Sequence, residues 1–139
     1  MRCAGNGEHA VRSQSMKLWI PLLCWVTLIF VGSSIPRLSG EKFGMPLGAD
    51  KVAHFIEYLV LALLFYRGAR GEQWRNLPVR LLIVMVGLAI GTLDEFHQRF
   101  IPGRDPNMWD WTADAAGIVC GTLIETKRSK SAEKGAKRA

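Results

Sequence analysis

Four stretches of this chain, Leu18 to Gly32, Val52 to Tyr66, Leu81 to Leu93 and Trp111 to Ile124, are too apolar to serve as ordinary water-facing elements. The remaining sequence of this 139-residue chain holds too little polar material to cover four buried helices with a hydrated surface, which argues against a soluble globule. Each stretch is therefore a candidate membrane span. A helix needs about 20 apolar residues to cross a hydrocarbon core, so these shorter cores must borrow from their flanks. Arg80 suits such a flank, because its long side chain reaches the headgroups. The mean hydropathy of +0.11 conceals this pattern, since both polar ends dilute the apolar middle. The expected fold is an all-α integral membrane protein, a four-transmembrane-helix bundle.

Counting Lys and Arg in alternate connections orients the bundle. The N-terminal tail, the second connection and the C-terminal tail hold 13 of the 18, while the first and third connections hold 5. Basic residues concentrate on the cytoplasmic side, so both ends are expected inside, with Ser33 to Lys51 and Asp94 to Asp110 facing out. The domain reading follows. Residues 1–16 are polar and aperiodic, expected to be disordered or untranslated, because Met16 directly precedes Lys17 and offers a second start. Residues 17–125 form the four-helix membrane domain, and 126–139 a basic cytoplasmic tail. The first span also has the outline of a signal peptide, with a basic region before a short apolar run ending in Gly32, Ser33 and Ser34. A lipoprotein site at Cys24 fails for want of small residues at Leu22 and Leu23.

The cysteines, Cys3, Cys24 and Cys120, are odd in number and scattered, which suits free thiols rather than a disulfide framework or a zinc finger. The net charge of +6 comes largely from the C-terminal run Lys127 to Arg138. Beside so many apolar segments its expected partner is an anionic inner leaflet of membrane lipid, with no nucleic acid. Gly87 and Gly91 in the third span, and Ala113, Gly117 and Gly121 in the fourth, recur every four residues. Such stripes allow close helix approach in lipid, so spans three and four are expected to pack tightly and bring Asp110 and Asp114 beside Asp94 and Glu95.

The polar residues gather where spans meet the outer face. Asp50, His54, Glu57 and Tyr58 share one helical face at the start of the second span. Asp50 also suits an N-terminal cap and Lys51 an interfacial anchor. Glu57 lies about 9 Å inside the boundary at 1.5 Å per residue, where an ionisable group is costly unless paired, so function is the default reading. A His54–Glu57 hydrogen bond is the structural alternative. At the end of the third span stand Asp94, Glu95, His97, Gln98 and Arg99. Pro102 and Gly103 then turn the chain, and Arg104 follows with a donor fork suited to a carboxylate or phosphate, or to a structural salt bridge with a nearby acid. Asp110 and Asp114 share a face of the fourth span, and Trp109 and Trp111 read as interfacial belt residues. Two acids and a histidine suit a metal, acid/base chemistry or a satisfied polar network, and no H-E-x-x-H, G-x-S-x-G or phosphate-cradling loop chooses among them. The sequence assigns no metal and no cofactor.

These residues carry a resemblance. Ser33, Ser34 and Pro36 leave the first span; Asp50, Lys51, His54, Phe55 and Tyr58 follow; then Glu95, Gln98, Phe100, Pro102, Gly103 and Arg104; then Asp110, Asp114, Gly117 and Gly121. In this order and spacing the chain resembles the VanZ-like membrane proteins, named for a component of glycopeptide-resistance clusters associated with teicoplanin resistance. Many relatives have Asn where this chain has Asp114, and Glu57, Asp94 and His97 lie outside the pattern.

The resemblance implies a multi-pass protein of the bacterial cytoplasmic (inner) membrane that influences glycopeptide susceptibility, without supplying a reaction. Three functions compete. The leading one is a non-enzymatic envelope module whose outer pocket, built from Asp50, Lys51, His54, Tyr58, Glu95, Gln98, Arg104, Asp110 and Asp114, binds an envelope lipid, a lipid-linked wall precursor, a glycopeptide or a membrane-protein partner. The second is a membrane enzyme acting on a lipid-linked or wall precursor, with His54 and Glu95 as candidate catalytic groups. The third is an ion or proton transporter using Glu57, weakened by the lack of an acidic chain continuing to the cytoplasm.

Overall fold

The computed structural model describes residues 5–36, 48–70, 79–104 and 106–138. Cys3 and three of the basic residues counted in the connections, Arg37, Lys42 and Arg75, lie outside them. The described chain forms four helices in order, α1 (Gly5–Ser33), α2 (Ala49–Arg70), α3 (Val79–Gln98) and α4 (Met108–Ala136), and no strand.

Local chemistry sets the helix ends. Gly48, with φ of 89°, adopts the left-handed conformation that a side chain disfavours, and its carbonyl accepts the Val52 N–H at 3.1 Å to open α2. After α3 the chain turns through Ile101–Arg104. Pro102 presets φ, Gly103 sits at φ 80°, and the Arg104 N–H closes on the Ile101 carbonyl at 3.1 Å, the requirements of a type II turn. Asn107 then caps α4, its side-chain oxygen accepting the Trp109 N–H at 3.0 Å.

α2 contains the one segment among the described residues, Ala49–Ala69, that is long and apolar enough to cross a bilayer; Lys17–Ser33 of α1 is apolar but shorter. The apolar parts of α3 and α4 are cut short by Asp94 and Glu95 at one end of the first, and by Asp110, Asp114 and a basic continuation in the second.

The helices pack around Leu22, Ile29, Tyr58, Leu61 and Ile118, with Trp19 meeting Phe65 edge-on at 5.5 Å. Spans three and four do pack as expected, but the glycine stripe of α4 faces a different helix. Gly117 lies against the backbone of Phe55 and Leu59, and Gly121 against Leu59 and Ala62, so the stripe seats α4 on α2. α3 meets α4 through Gly87, beside Ile118, and through Gly91, beside Asp114 and Tyr58. Helix α2 offers no glycine in the contact, so the partner of the stripe was not legible from spacing alone.

Beside this apolar core, several polar side chains are also buried while large apolar ones are exposed. Asp94, Gln98, Asp110, Asp114, Thr122 and Thr126 are buried. Exposed residues include Leu23 and Leu28 on α1, Ile56 on α2, Leu81, Met85 and Leu93 on α3, and Leu123 on α4.

Candidate functional site

The polar residues meet at one end of the bundle, where α2 and α4 begin and α1 and α3 end. Two rungs join α2 to α4. Lys51 Nζ donates to Asp110 Oδ1 at 2.9 Å and to Asp50 Oδ2 at 2.9 Å. One turn deeper, His54 Nδ1 lies 3.0 Å from Asp114 Oδ1, a pair in which the Asp114 side chain is only 1% exposed. Spacing of three or four residues on each helix places both rungs on the facing sides, and the glycine contact below them holds the helices close enough to form them. His54 thus pairs with Asp114 and not with Glu57, whose backbone carbonyl instead accepts the Trp25 indole N–H at 2.9 Å.

Helix α3 brings the third wall. Its buried positions, Ile83, Gly87, Gly91, Asp94 and Gln98, run down one face, and Gln98 Nε2 donates to Asp94 Oδ2 at 3.0 Å. Asp94, which lies outside the family pattern, is fully buried. The signal was present in the same stripe, since Asp94 continues the face marked by Gly87 and Gly91. Glu95 turns toward α4 and accepts the Asn107 N–H through Oε2 at 2.9 Å, tying the end of α3 to the cap of α4. Burial pushes the Glu95 carboxyl above its ordinary value, partly offset by that Asn107 N–H.

Arg104 does something other than meet an acid. Its Nη2 donates to the Gly32 carbonyl at 3.0 Å and its Nε to the Ile35 carbonyl at 3.4 Å, so it caps the end of α1, where carbonyls lack helical partners. His97 fastens the same end. The Ser34 hydroxyl has a single hydrogen, given to the Phe30 carbonyl at 2.6 Å, so its oxygen accepts from His97 Nε2 at 2.9 Å. Trp109 is exposed, as a belt residue would be, and Trp111 donates to Thr92 Oγ1 at 3.2 Å.

Among the described residues, four buried oxygens in this end have no hydrogen-bond partner: Tyr58 OH, Asp94 Oδ1, Glu95 Oε1 and Asp114 Oδ2. Within the same cluster, one ligating atom each of His54, Glu95 and Asp114 lie within 4.8 Å of one another. The arrangement can hold a cation, orient an acid/base histidine through a carboxylate, or lock three helices together. Beneath it, toward the middle of the bundle, the gap lined by Leu61, Phe65, Ile83, Val86, Ile90 and Ile118 is apolar.

Compared with known proteins, residues 18–126 match the family model described as VanZ/LLP1. No curated protein and no solved structure matches the chain.

Proposed function

The chain belongs to the VanZ/LLP1 family, and we propose that it is a multi-pass protein of the bacterial cytoplasmic membrane, with both ends inside, whose outer polar cluster binds an envelope ligand. The observation that carries this reading is the pattern of burial: carboxylates, an imidazole and an amide converge inside one end of the bundle while large apolar side chains face outward on all four helices. Exposed apolar side chains on all four helices call for cover, and lipid supplies it without a partner protein. The excess of basic residues in the tails and in the 67–80 connection supports an orientation with the cluster on the outer side.

The ligand class is an envelope lipid or lipid-linked wall precursor. Asp50, Asp94, Glu95, Asp110 and Asp114 outnumber Lys51 and His54, and Arg104 is committed to backbone carbonyls. The cluster therefore favours a positively charged portion of such a ligand, or a cation accompanying its phosphate, over a bare anion. A second reading rests on the His54–Asp114 pair: a carboxylate that orients a histidine is a recurring acid/base device, so a membrane enzyme acting on a lipid-linked or wall precursor is the alternative. The apolar gap beneath the cluster disfavours a proton path.

Single cysteines introduced at positions 104 and 130 test the topology. Position 104 should react with an impermeant thiol reagent from outside and position 130 only after permeabilisation; the reverse pattern sinks the outer site. The family resemblance makes teicoplanin susceptibility the phenotype to follow. His54→Ala and Glu95→Ala are expected to abolish any effect of the protein on susceptibility while membrane insertion persists. Turnover of a purified lipid precursor, lost in the same variants, would establish the enzyme reading instead.

A further inference from the structure

We propose that His54, Glu95 and Asp114 bind a divalent transition-metal cation of the Zn2+ class, with at least one coordination position left open. The inference takes the cluster as a binding site, as above, but depends on neither its side of the membrane nor the identity of the envelope ligand.

Geometry comes first. The three ligating atoms come from α2, α3 and α4 and lie within 4.8 Å of one another. Ligand bonds of about 2.0–2.2 Å place neighbouring donors of a tetrahedral shell about 3.3 Å apart, so closure needs movements of roughly 1 Å or more, within reach of carboxylate rotation. One imidazole nitrogen with two carboxylate oxygens is a mixed N/O set, which suits Zn2+ or Mn2+ better than the all-oxygen preference of Mg2+ or Ca2+.

The second, independent observation is what the fold leaves unsatisfied. Asp114 is 1% exposed and Asp94 and Tyr58 are fully buried, yet among the described residues Asp114 Oδ2, Asp94 Oδ1, the Tyr58 hydroxyl and Glu95 Oε1 have no hydrogen-bond partner. Asp114 Oδ2 and the Tyr58 ring edge flank the same point above Gly91, each 3.4 Å from where a Cβ would stand. Ionised carboxylate oxygens only accept, so what they lack is a donor or a positive charge. Lys51 is engaged by Asp50 and Asp110, and His54 by Asp114; among the described residues no ion pair is made by Asp94 or Glu95. Buried charge of one sign is costly, and a divalent cation offsets it where one histidine falls short. Asp94, held by Gln98, would then support the shell from behind.

The test uses the full chain purified in detergent with Cys3, Cys24 and Cys120 changed to Ser, so that no thiolate competes. Equilibrium dialysis against Zn2+ followed by elemental analysis should give one Zn2+ per chain. Asp114→Asn and Glu95→Gln, which keep side-chain shape, should each weaken Zn2+ binding at least ~10-fold, and His54→Ala ~100-fold. His97→Ala should leave it unchanged. Co2+ in the unsubstituted site should show the visible absorption of N/O ligation, a readout that does not depend on any ligand variant folding. Zn2+ affinity retained in monodisperse Asp114→Asn and Glu95→Gln proteins, selective binding of Mg2+, or no stoichiometric metal at all would overturn the proposal and identify the cluster as a hydrated ion-pair network. Because dialysis is blind to topology, a failed metal site leaves the thiol-labelling result intact, and the converse holds.

Discussion

Replacing Gly117 with Ala should do more damage than any other single methyl group added to a helix of this protein. A Cβ there would stand 2.9 Å from the Leu59 nitrogen and closer still to the Phe55 carbonyl oxygen. Both are backbone atoms, so no side-chain rotation relieves the contact and α2 must withdraw. A retreat of about 1 Å carries the Lys51–Asp110 and His54–Asp114 separations, now 2.9 and 3.0 Å, beyond hydrogen-bond range. Overpacking and the loss of a charge-assisted bond outweigh the intrinsic gain of Ala over Gly, giving a net loss of about 3 kcal/mol. At Gly87 the obstacle is the tip of Ile118, which can move, so Gly87→Ala should cost under about 1 kcal/mol. Gly32 has nothing within 4 Å, and Gly32→Ala should be neutral or stabilising by up to about 1 kcal/mol. Equilibrium unfolding in mixed micelles with a titrated denaturing detergent measures all three. Gly117→Ala within 0.5 kcal/mol of the parent, a margin roughly that of an inert surface change, would refute the backbone contact between α2 and α4.

Asp114→Ala should cost about 3–5 kcal/mol by stranding His54, whereas Asp114→Asn keeps a partner for the ring and should cost less than half as much in the same unfolding assay. Asn107→Ala removes the cap of α4 and should cost about 1 kcal/mol, with Asn107→Gly largely restoring it. Arg104→Ala frees the carbonyls of Gly32 and Ile35, so limited proteolysis should cut near residues 33–36 faster than in the parent, and Arg104→Lys should rescue only in part because a single ammonium lacks the fork. Since burial raises the Glu95 carboxyl above its ordinary 4.5, the folded state binds this proton more tightly than the unfolded chain. Its stabilising contribution is full below 4.5 and is lost as pH rises through the raised value, so Glu95→Gln should flatten the stability–pH curve in that window; an unchanged slope would contradict this.

The four helices were legible because apolar stretches of this length have few other fates, and the shared face of Asp110 and Asp114 followed from a spacing of four. The full extent of α1 and α4 was not, since both continue well past their apolar parts. Pairings between helices were harder. The direction of the Gly117 stripe depended on a partner surface made of backbone, and Arg104 found carbonyl acceptors, which every residue carries and no side-chain pattern marks. His54 had two acidic candidates, Glu57 on its own helix and Asp114 across the gap. Only the close approach of α2 and α4 decides for Asp114. Asp94 lies outside the family pattern, and its burial is marked in the sequence only by the face it shares with two glycines.

The glycine seat between α2 and α4 also determines how the cluster can open. With α4 glycines set against the α2 backbone over a full turn, those two helices cannot part at the level of His54 without losing the seat. Helix α3 rests on this pair through movable side chains, Ile118 at Gly87 and the Asp114 and Tyr58 side chains at Gly91, with the Glu95–Asn107 bond as a latch at its end. Widening the space at Asp114 Oδ2 would therefore cost least at the α3 seam, where the contacts are made by side chains rather than backbone.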